Sequence, residues 1–359
     1  VVRVERTEDY TLVACADGLG SGIKANLAAT MALGRLSGLV RGGYSLREAF
    51  ARLARTMNEA REPGLPYSAF SVARFLPSGE TTILSYDAPE PVWASYHTAS
   101  ALRQNRFEYD GAEIGEAHCV LEPGEAILLV SDGITQAGLG GGLPMGWGIE
   151  RVAQFARDHK RSGAPWEDLP EAIHRQARRL WGSKRGDDCT VCLGVCREGN
   201  MVTVFTGPPA VRAADDAAVS EFLSGDGAKV VCGATTAQIV ARRIGKTLQV
   251  DQDSLDSIAP PFYTLDGIDL VTEGAVTLNQ VYNILEEDDS RYEAKSGVSS
   301  LARLLKDADR VEFLVGRAPN LAGEDIAFRQ QGILPRTTIV PLLAEKLQSA
   351  GKLVLVRYA

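Results

Sequence analysis

Three acidic stretches combine residue types and spacings that could do chemistry. In the first, Ala16-Asp17-Gly18-Leu19-Gly20-Ser21-Gly22, an aspartate ends the apolar run Thr11–Cys15 and glycines follow. In the second, Ala126–Val130 is a continuous apolar run ending in Ser131-Asp132-Gly133. The third, Gly186-Asp187-Asp188-Cys189-Thr190-Val191, sets two carboxylates at the start of an apolar run. An aspartate at a strand end followed by glycine can aim a carboxylate and a carbonyl at one point. Carboxylates gathered without a matching Cys/His set suit hard cations such as Mg²⁺ or Mn²⁺. Singly, each Asp-Gly reads as readily as a plain turn, and Asp187-Asp188 as a solvated hairpin end. Strand, glycine turn and helix also describe many phosphate loops. Three such sites in one chain favour the cation reading.

In this order the stretches resemble the motif series of the metal-dependent PPM phosphatases (protein phosphatase type 2C), in particular the bacterial branch typified by the sporulation phosphatase SpoIIE. The resemblance covers about residues 1–198. It implies an α+β fold, a four-layer αββα sandwich of two antiparallel sheets, with a centre for two Mn²⁺ or Mg²⁺ ions at one end. Asp17 would bridge the ions, the Gly18 carbonyl would reach one of them, and Asp132 and Asp187 would hold the other. Asp188 stands where many relatives have Asn, so it supports a ligand or shares an ion. An earlier Gly-Asp pair, which relatives use as a further acidic ligand, is not found in residues 1–9. Either it precedes Val1, where the chain opens abruptly, or Glu5, Glu8 or Asp9 replaces it; the first is the expectation. Relatives remove phosphate from phosphoserine or phosphothreonine on small regulatory proteins, STAS-type anti-anti-sigma proteins among them. Eukaryotic relatives place a histidine near the first motif as general acid. None stands there here, so metal-bound water or solvent would protonate the leaving group.

These motifs need elements to position them. Residues 1–14 read as a hairpin turning at Arg6–Asp9, and Ile23–Leu39 reads as an Ala-rich helix. A second helix runs from Ser45 to Asn58, opened by a Ser45/Glu48 capping box, and Pro63–Pro66 breaks it. Ser68–Phe75 and Thr81–Tyr86 form a hairpin, and Val92–Tyr96 is a further strand. Asp87–Pro91 replaces the Gly-His-Pro turn of many relatives. The glycine-rich stretch 136–148 reads either as a mobile substrate gate or as a disordered connector. Ile149–Lys160 and Trp166–Leu180 are amphipathic helices. His159 and His174 on them read as surface or packing residues, and His97 as exposed. Lys184 and Arg185 make a basic connector that either meets substrate phosphate or is solvated.

Composition sets bounds. The chain has 359 residues, 45% hydrophobic and 23% charged, which favours two domains with ample core. A net charge of −8 with no basic block argues against nucleic-acid binding. No apolar run approaches the ~20 residues of a membrane span, and no signal-peptide pattern opens at Val1. A cytoplasmic protein with reduced thiols is expected. Cys189, Cys192 and Cys196 share one strand on alternating faces, which opposes a shared zinc site.

Residues 201–359 alternate strands (201–205, 229–232, 268–271, 311–315, 353–356) with helices (215–223, 237–244, 277–285, 298–306, 335–347), which reads as an α/β domain. Gly207-Pro-Pro and Gly233-Ala-Thr-Thr precede helix N-termini, where backbone amides favour anions. Neither is a P-loop, and Glu273-Gly274 echoes the second acidic motif only faintly. Three readings of function follow, one of them that residues 201–359 carry an enzymatic activity of their own on a nucleotide or phosphosugar. The chain is a phosphoserine phosphatase with the α/β domain as a recognition or regulatory module. Alternatively, it is a catalytically weak or inactive phosphatase-fold scaffold whose α/β domain binds an anionic ligand or partner. The oligomeric state stays open, a homodimer included.

Overall fold

The computed structural model describes residues 1–20, 22–61, 67–182, 186–250, 262–288, 296–318 and 332–359. Ser21, the 63–66 break and the Lys184-Arg185 connector lie outside the described residues. The chain divides into two compact units, Val1–Glu198 and Gly199–Ala359.

The first unit is a four-layer α+β sandwich. One sheet has six strands in the order β1-β2-β3-β4-β8-β7: Val2–Arg6, Thr11–Gly18, Ser68–Phe75, Glu80–Tyr86, Ala112–Val120 and Asn105–Tyr109. The other has four, in the order β10-β9-β5-β6: Val191–Val195, Ala126–Val130, Val92–Ala94 and Ala99–Ala101. All pairs are antiparallel. Between the sheets lie Cys15, Ala73, Ile83, Ile127, Leu129 and Cys192. Alternation along each strand explains this, because residues two apart share a face. Cys192 faces this layer, whereas Cys189 packs toward the helices on the far side of its sheet.

Helices α1 (Ile23–Arg41) and α2 (Leu46–Glu59) cover the outer face of the larger sheet. On α1 the buried stripe is Ala25, Ala28, Ala29, Ala32, Leu33 and Leu36, small enough to bring the helix close to β2. Ser45 caps α2 by accepting from the Glu48 amide at 3.2 Å, and the Glu48 carboxylate pairs with Arg52 at 2.9 Å. Helices α4 (Ile149–Arg161) and α5 (Leu169–Trp181) cover the smaller sheet through Val152, Ala156, Ile173 and Ala177.

The second unit is a doubly wound α/β domain. Its parallel strands are β11 (Met201–Thr206), β12 (Ala228–Cys232), β15 (Ile268–Thr272), β16 (Arg310–Val315) and β17 (Leu353–Tyr358), in spatial order β15-β12-β11-β16-β17. An antiparallel pair, β13 (Gln249–Val250) and β14 (Phe262–Leu265), extends one edge. Helices α6 (Asp215–Ser224) and α7 (Ala234–Ile244) pack on one face. Helices α8 (Ala275–Ile284), α9 (Gly297–Asp307) and α10 (Arg336–Ser349) pack on the other. Among the described residues no helix is long and apolar enough to cross a membrane.

Candidate active site

The site forms where the two antiparallel sheets end together. Asp17 is the penultimate residue of β2, opposite Ala69 of β3, and its carbonyl accepts from the Ser68 hydroxyl at 2.8 Å. Asp132 follows β9 from the other sheet and opens the short helix α3 (Asp132–Thr135). Asp187 and Asp188 precede β10, the neighbour of β9.

A side-chain clamp holds the second and third acidic segments together. The Ser131 hydroxyl donates to the Asp188 carbonyl at 3.1 Å and accepts from the Thr190 amide at 2.9 Å. The Ser131 amide donates to the Thr190 carbonyl at 3.0 Å. A Cβ at Gly133 would lie 2.3 Å from the Asp188 carbonyl oxygen, so this approach requires glycine. The Gln136 amide donates to Asp132 Oδ2 at 2.9 Å and orients that carboxylate. The Asp188 amide donates to Asp187 Oδ1 at 2.9 Å. The Trp181 indole, on α5, donates to the Gly133 carbonyl at 3.2 Å.

Asp17, Gly18 and Asp188 line one open cavity of about 720 Å³, together with Val1, Asn26 and His174. Asp17 and Asp132 also face a narrow crevice that includes Asp87. Asp87 is held by Arg61 and the Tyr67 hydroxyl. Asp17 and Asp132 are half-buried, while Asp187 and Asp188 are exposed.

The electrostatics are those of crowded like charges. The Asp17 carboxyl is pushed up to about 6, first by burial and then by the negative charges of Asp132 and Asp187, with Asp188 adding to them. Asp132 is also raised, by burial and by Asp187. Asp17 Oδ2 is buried with no hydrogen-bond partner. Burying such an atom is costly unless a cation or donor meets it. An all-oxygen set of this kind matches hard divalent cations. Among the described residues no three His, Cys, Asp or Glu side chains converge tightly enough to cage an ion by themselves.

Glu5, Glu8 and Asp9 do not replace the missing acidic residue. The hairpin register sets Glu5 against Leu12, five residues and roughly 17 Å along β2 from Asp17. Glu5 pairs instead with Arg41 at 2.9 Å, and Glu8 and Asp9 sit at the hairpin turn beyond it. The stretch 136–148 is also not an unanchored connector. Its turns are closed by backbone bonds, among them Gly148 N–H to the Thr135 carbonyl at 2.8 Å, and Trp147 is buried in the core.

His174, read from sequence as a surface or packing residue, lines the Asp17 cavity. Its neighbour Ile173 belongs to the buried stripe of α5. Helical periodicity therefore sets His174 on the flank of that helix, but which feature the flank overlooks is decided by sheet packing.

This architecture is that of the PP2C-type, metal-dependent serine/threonine phosphatases. The family model for stage II sporulation protein E (SpoIIE) matches residues 7–194, and the chain belongs to that family. Three solved structures illustrate the likeness. The RsbU and RsbW domains of a Mycobacterium tuberculosis protein share 17% identity at a TM-score of 0.46, over 62% of this chain and 63% of theirs. This chain thus spans less than two thirds of that structure. The phosphatase domain of Bacillus subtilis SpoIIE shares 15% identity at a TM-score of 0.40, over 54% of this chain and 82% of its own. The SiaA-PP2C domain of Pseudomonas aeruginosa shares 18% at 0.45, over 55% and 80%. No curated protein matches the chain.

Proposed function

We propose that residues 1–198 hydrolyse phosphoserine or phosphothreonine on a bacterial regulatory protein, using Mn²⁺ or Mg²⁺. The observation that carries this reading is the buried, unpartnered Asp17 Oδ2 on a carboxyl set among the charges of Asp132, Asp187 and Asp188. Asp17, with the Gly18 carbonyl, and Asp132 with Asp187 are the residues that would hold two ions; Asp188 would support or share one. Bound there, the ions would supply a water of lowered pKa and neutralise the phosphoryl charge. Ser131 and Gln136 keep Asp132 and the 187–188 segment in position. His174 is the proton donor proposed for the serine oxygen as it leaves, in place of solvent.

The substrate class is a phosphorylated signalling protein, with STAS-type anti-anti-sigma proteins the nearest analogy. Residues 201–359 would act as a recognition or regulatory module. A cytoplasmic location and a homodimer remain compatible with this reading.

The test is Mn²⁺-dependent hydrolysis of a phosphoserine peptide and para-nitrophenyl phosphate by the full chain. Turnover should fall by roughly a thousandfold in Asp17→Asn with the circular-dichroism spectrum unchanged, in line with loss of electrostatic catalysis. Full activity of that variant would overturn the assignment. A second reading, a phosphatase fold acting as a scaffold with little or no turnover, is favoured by one observation. The described carboxylates do not by themselves cage an ion. It predicts no metal-dependent hydrolysis of either substrate by the unmodified chain.

A further inference from the structure

The α/β domain has a second site, built separately from the acidic rim. Its parallel strands run, in chain order, third-second-first-fourth-fifth across the sheet. The order therefore reverses beside β11, and a crevice opens past the carboxyl ends of β11 and β16. A cavity of about 620 Å³ lies there, lined among others by Gly207, Gly233, Thr236, Gly274, Arg317 and Arg336.

Three helices begin at this cavity: α7 (11 residues) after Gly233, α8 (10) after Gly274, and α10 (14) after Pro335. None has a side-chain cap, and none carries an acidic residue in its first turn. The other long helices of the domain differ. Helix α6 opens on Asp215 and Asp216, and α9 is closed by a Ser296/Ser299 capping box. Uncapped first-turn amides and three positive dipole ends thus meet in one place.

Two side chains turn this into a built site. Thr236, in the first turn of α7, lines the cavity and is 1% exposed; its hydroxyl is buried with no hydrogen-bond partner, 3.4 Å from where a Cβ on the lining residue Gly233 would stand. A hydroxyl buried in that way is costly until something meets it. Arg336 opens α10 and donates to the Ala318 carbonyl, with no ion pair among the described residues. Its guanidinium lies against Gly207, where a Cβ would stand 2.2 Å from Nη1. The glycine at the end of β11 therefore admits the arginine to the cavity. Arg317, over the Tyr358 ring at 4.7 Å, adds a second cation at the rim.

Among the described residues Glu273 is the one carboxylate on the lining, and its Oε1 accepts from the Tyr263 hydroxyl at 2.9 Å. It suits a ligand that is anionic at one end and carries hydroxyl donors at the other. The first strand–helix turn, Gly207-Pro208-Pro209, lacks the glycine fingerprint of dinucleotide sites, and its prolines offer no amide donors.

We infer that this cavity binds the phosphate monoester of a small polyhydroxylated molecule. The phosphate sits against the α7 N-terminus, the Thr236 hydroxyl and Arg336, and the hydroxyls face Glu273. The site is independent of the phosphatase reading. The experiment uses the full chain in EDTA in the Asp17→Asn background, so that phosphate esters are neither hydrolysed nor held through metal. Inorganic phosphate, glucose 6-phosphate and adenosine 5′-monophosphate are titrated by calorimetry and thermal shift. At least one ester is expected to bind and raise Tm, and Thr236→Val and Arg336→Gln should each weaken it at least tenfold. Thr236→Val removes an unpartnered hydroxyl at nearly constant volume, so the unliganded Tm should hold or rise. That variant decides the matter if Arg336→Gln folds poorly. Equal binding of phosphate and esters would identify the free anion as the ligand and remove the role given to Glu273. Absence of binding by all three probes, or binding unchanged in Thr236→Val, would overturn the site.

Discussion

At the scale of single residues, the chemistry turns on how Asp17 carries its charge. Its folded pKa is raised from 3.8 to about 6, so the folded protein binds this proton more tightly than the unfolded chain does. Stability from that proton is present below about pH 4 and is lost as pH rises to about 6. The metal-free Asp17→Asn variant lacks this loss, so its Tm should gain on the unmodified protein across that window. A gap between the two curves that stays constant with pH would contradict the shift. For the same reason Mn²⁺ affinity, read by calorimetry, should drop below about pH 6, where the ion competes with a proton. His174 calls for a different readout. If it protonates the leaving oxygen, His174→Ala should slow hydrolysis of a phosphoserine peptide by about a hundredfold. Hydrolysis of para-nitrophenyl phosphate, whose leaving group needs no proton, should barely change. Equal losses on both substrates would show a positioning role instead.

At the scale of elements, the site depends on two strand ends held backbone to backbone. Gly133→Ala inserts a methyl 2.3 Å from the Asp188 carbonyl, and neither backbone can yield without moving a carboxylate. Overpacking of this kind costs roughly 1–3 kcal/mol, to be read from urea denaturation, and metal-dependent turnover should fall with it. Much of this arrangement is legible along the chain. The apolar runs ending at Asp17 and Asp132 announce buried strands, and the Ser45 cap and the Ala-rich α1 follow from residue type and spacing. Residues 97–120 are less legible, and three strands there, β6, β7 and β8, escape sequence reading. The exposed faces of β7 and β8 carry Arg106, Glu108 and Glu113, and pairing rather than local pattern makes all three strands: β8 with β4, β7 with β8, and β6 with β5. Helix α7 begins at Ala234, three residues before the periodic pattern does, with Gly233 at the N-cap position and no side-chain cap.

At the scale of the whole molecule, no described strand of one unit joins a sheet of the other. Each unit has its own cores, so thermal unfolding of the full chain should resolve two transitions rather than one. Mn²⁺ should shift only one of them, and the Asp17→Asn variant should abolish that shift. A single transition that moves as a whole with Mn²⁺ would show that the units unfold as one. Taken alone, the sequence determined many of the strands and helices, the acidic strand ends and the family, because periodicity, glycine placement and motif spacing are local properties of a chain. Only the tertiary structure decided that His174 and Asp17 line one cavity, that Glu5 stands a hairpin's length away, and that Thr236 and Arg336 line another. Those relations depend on strand register and on the switch in sheet order. Both arise from packing between segments far apart in the chain, which no local pattern encodes.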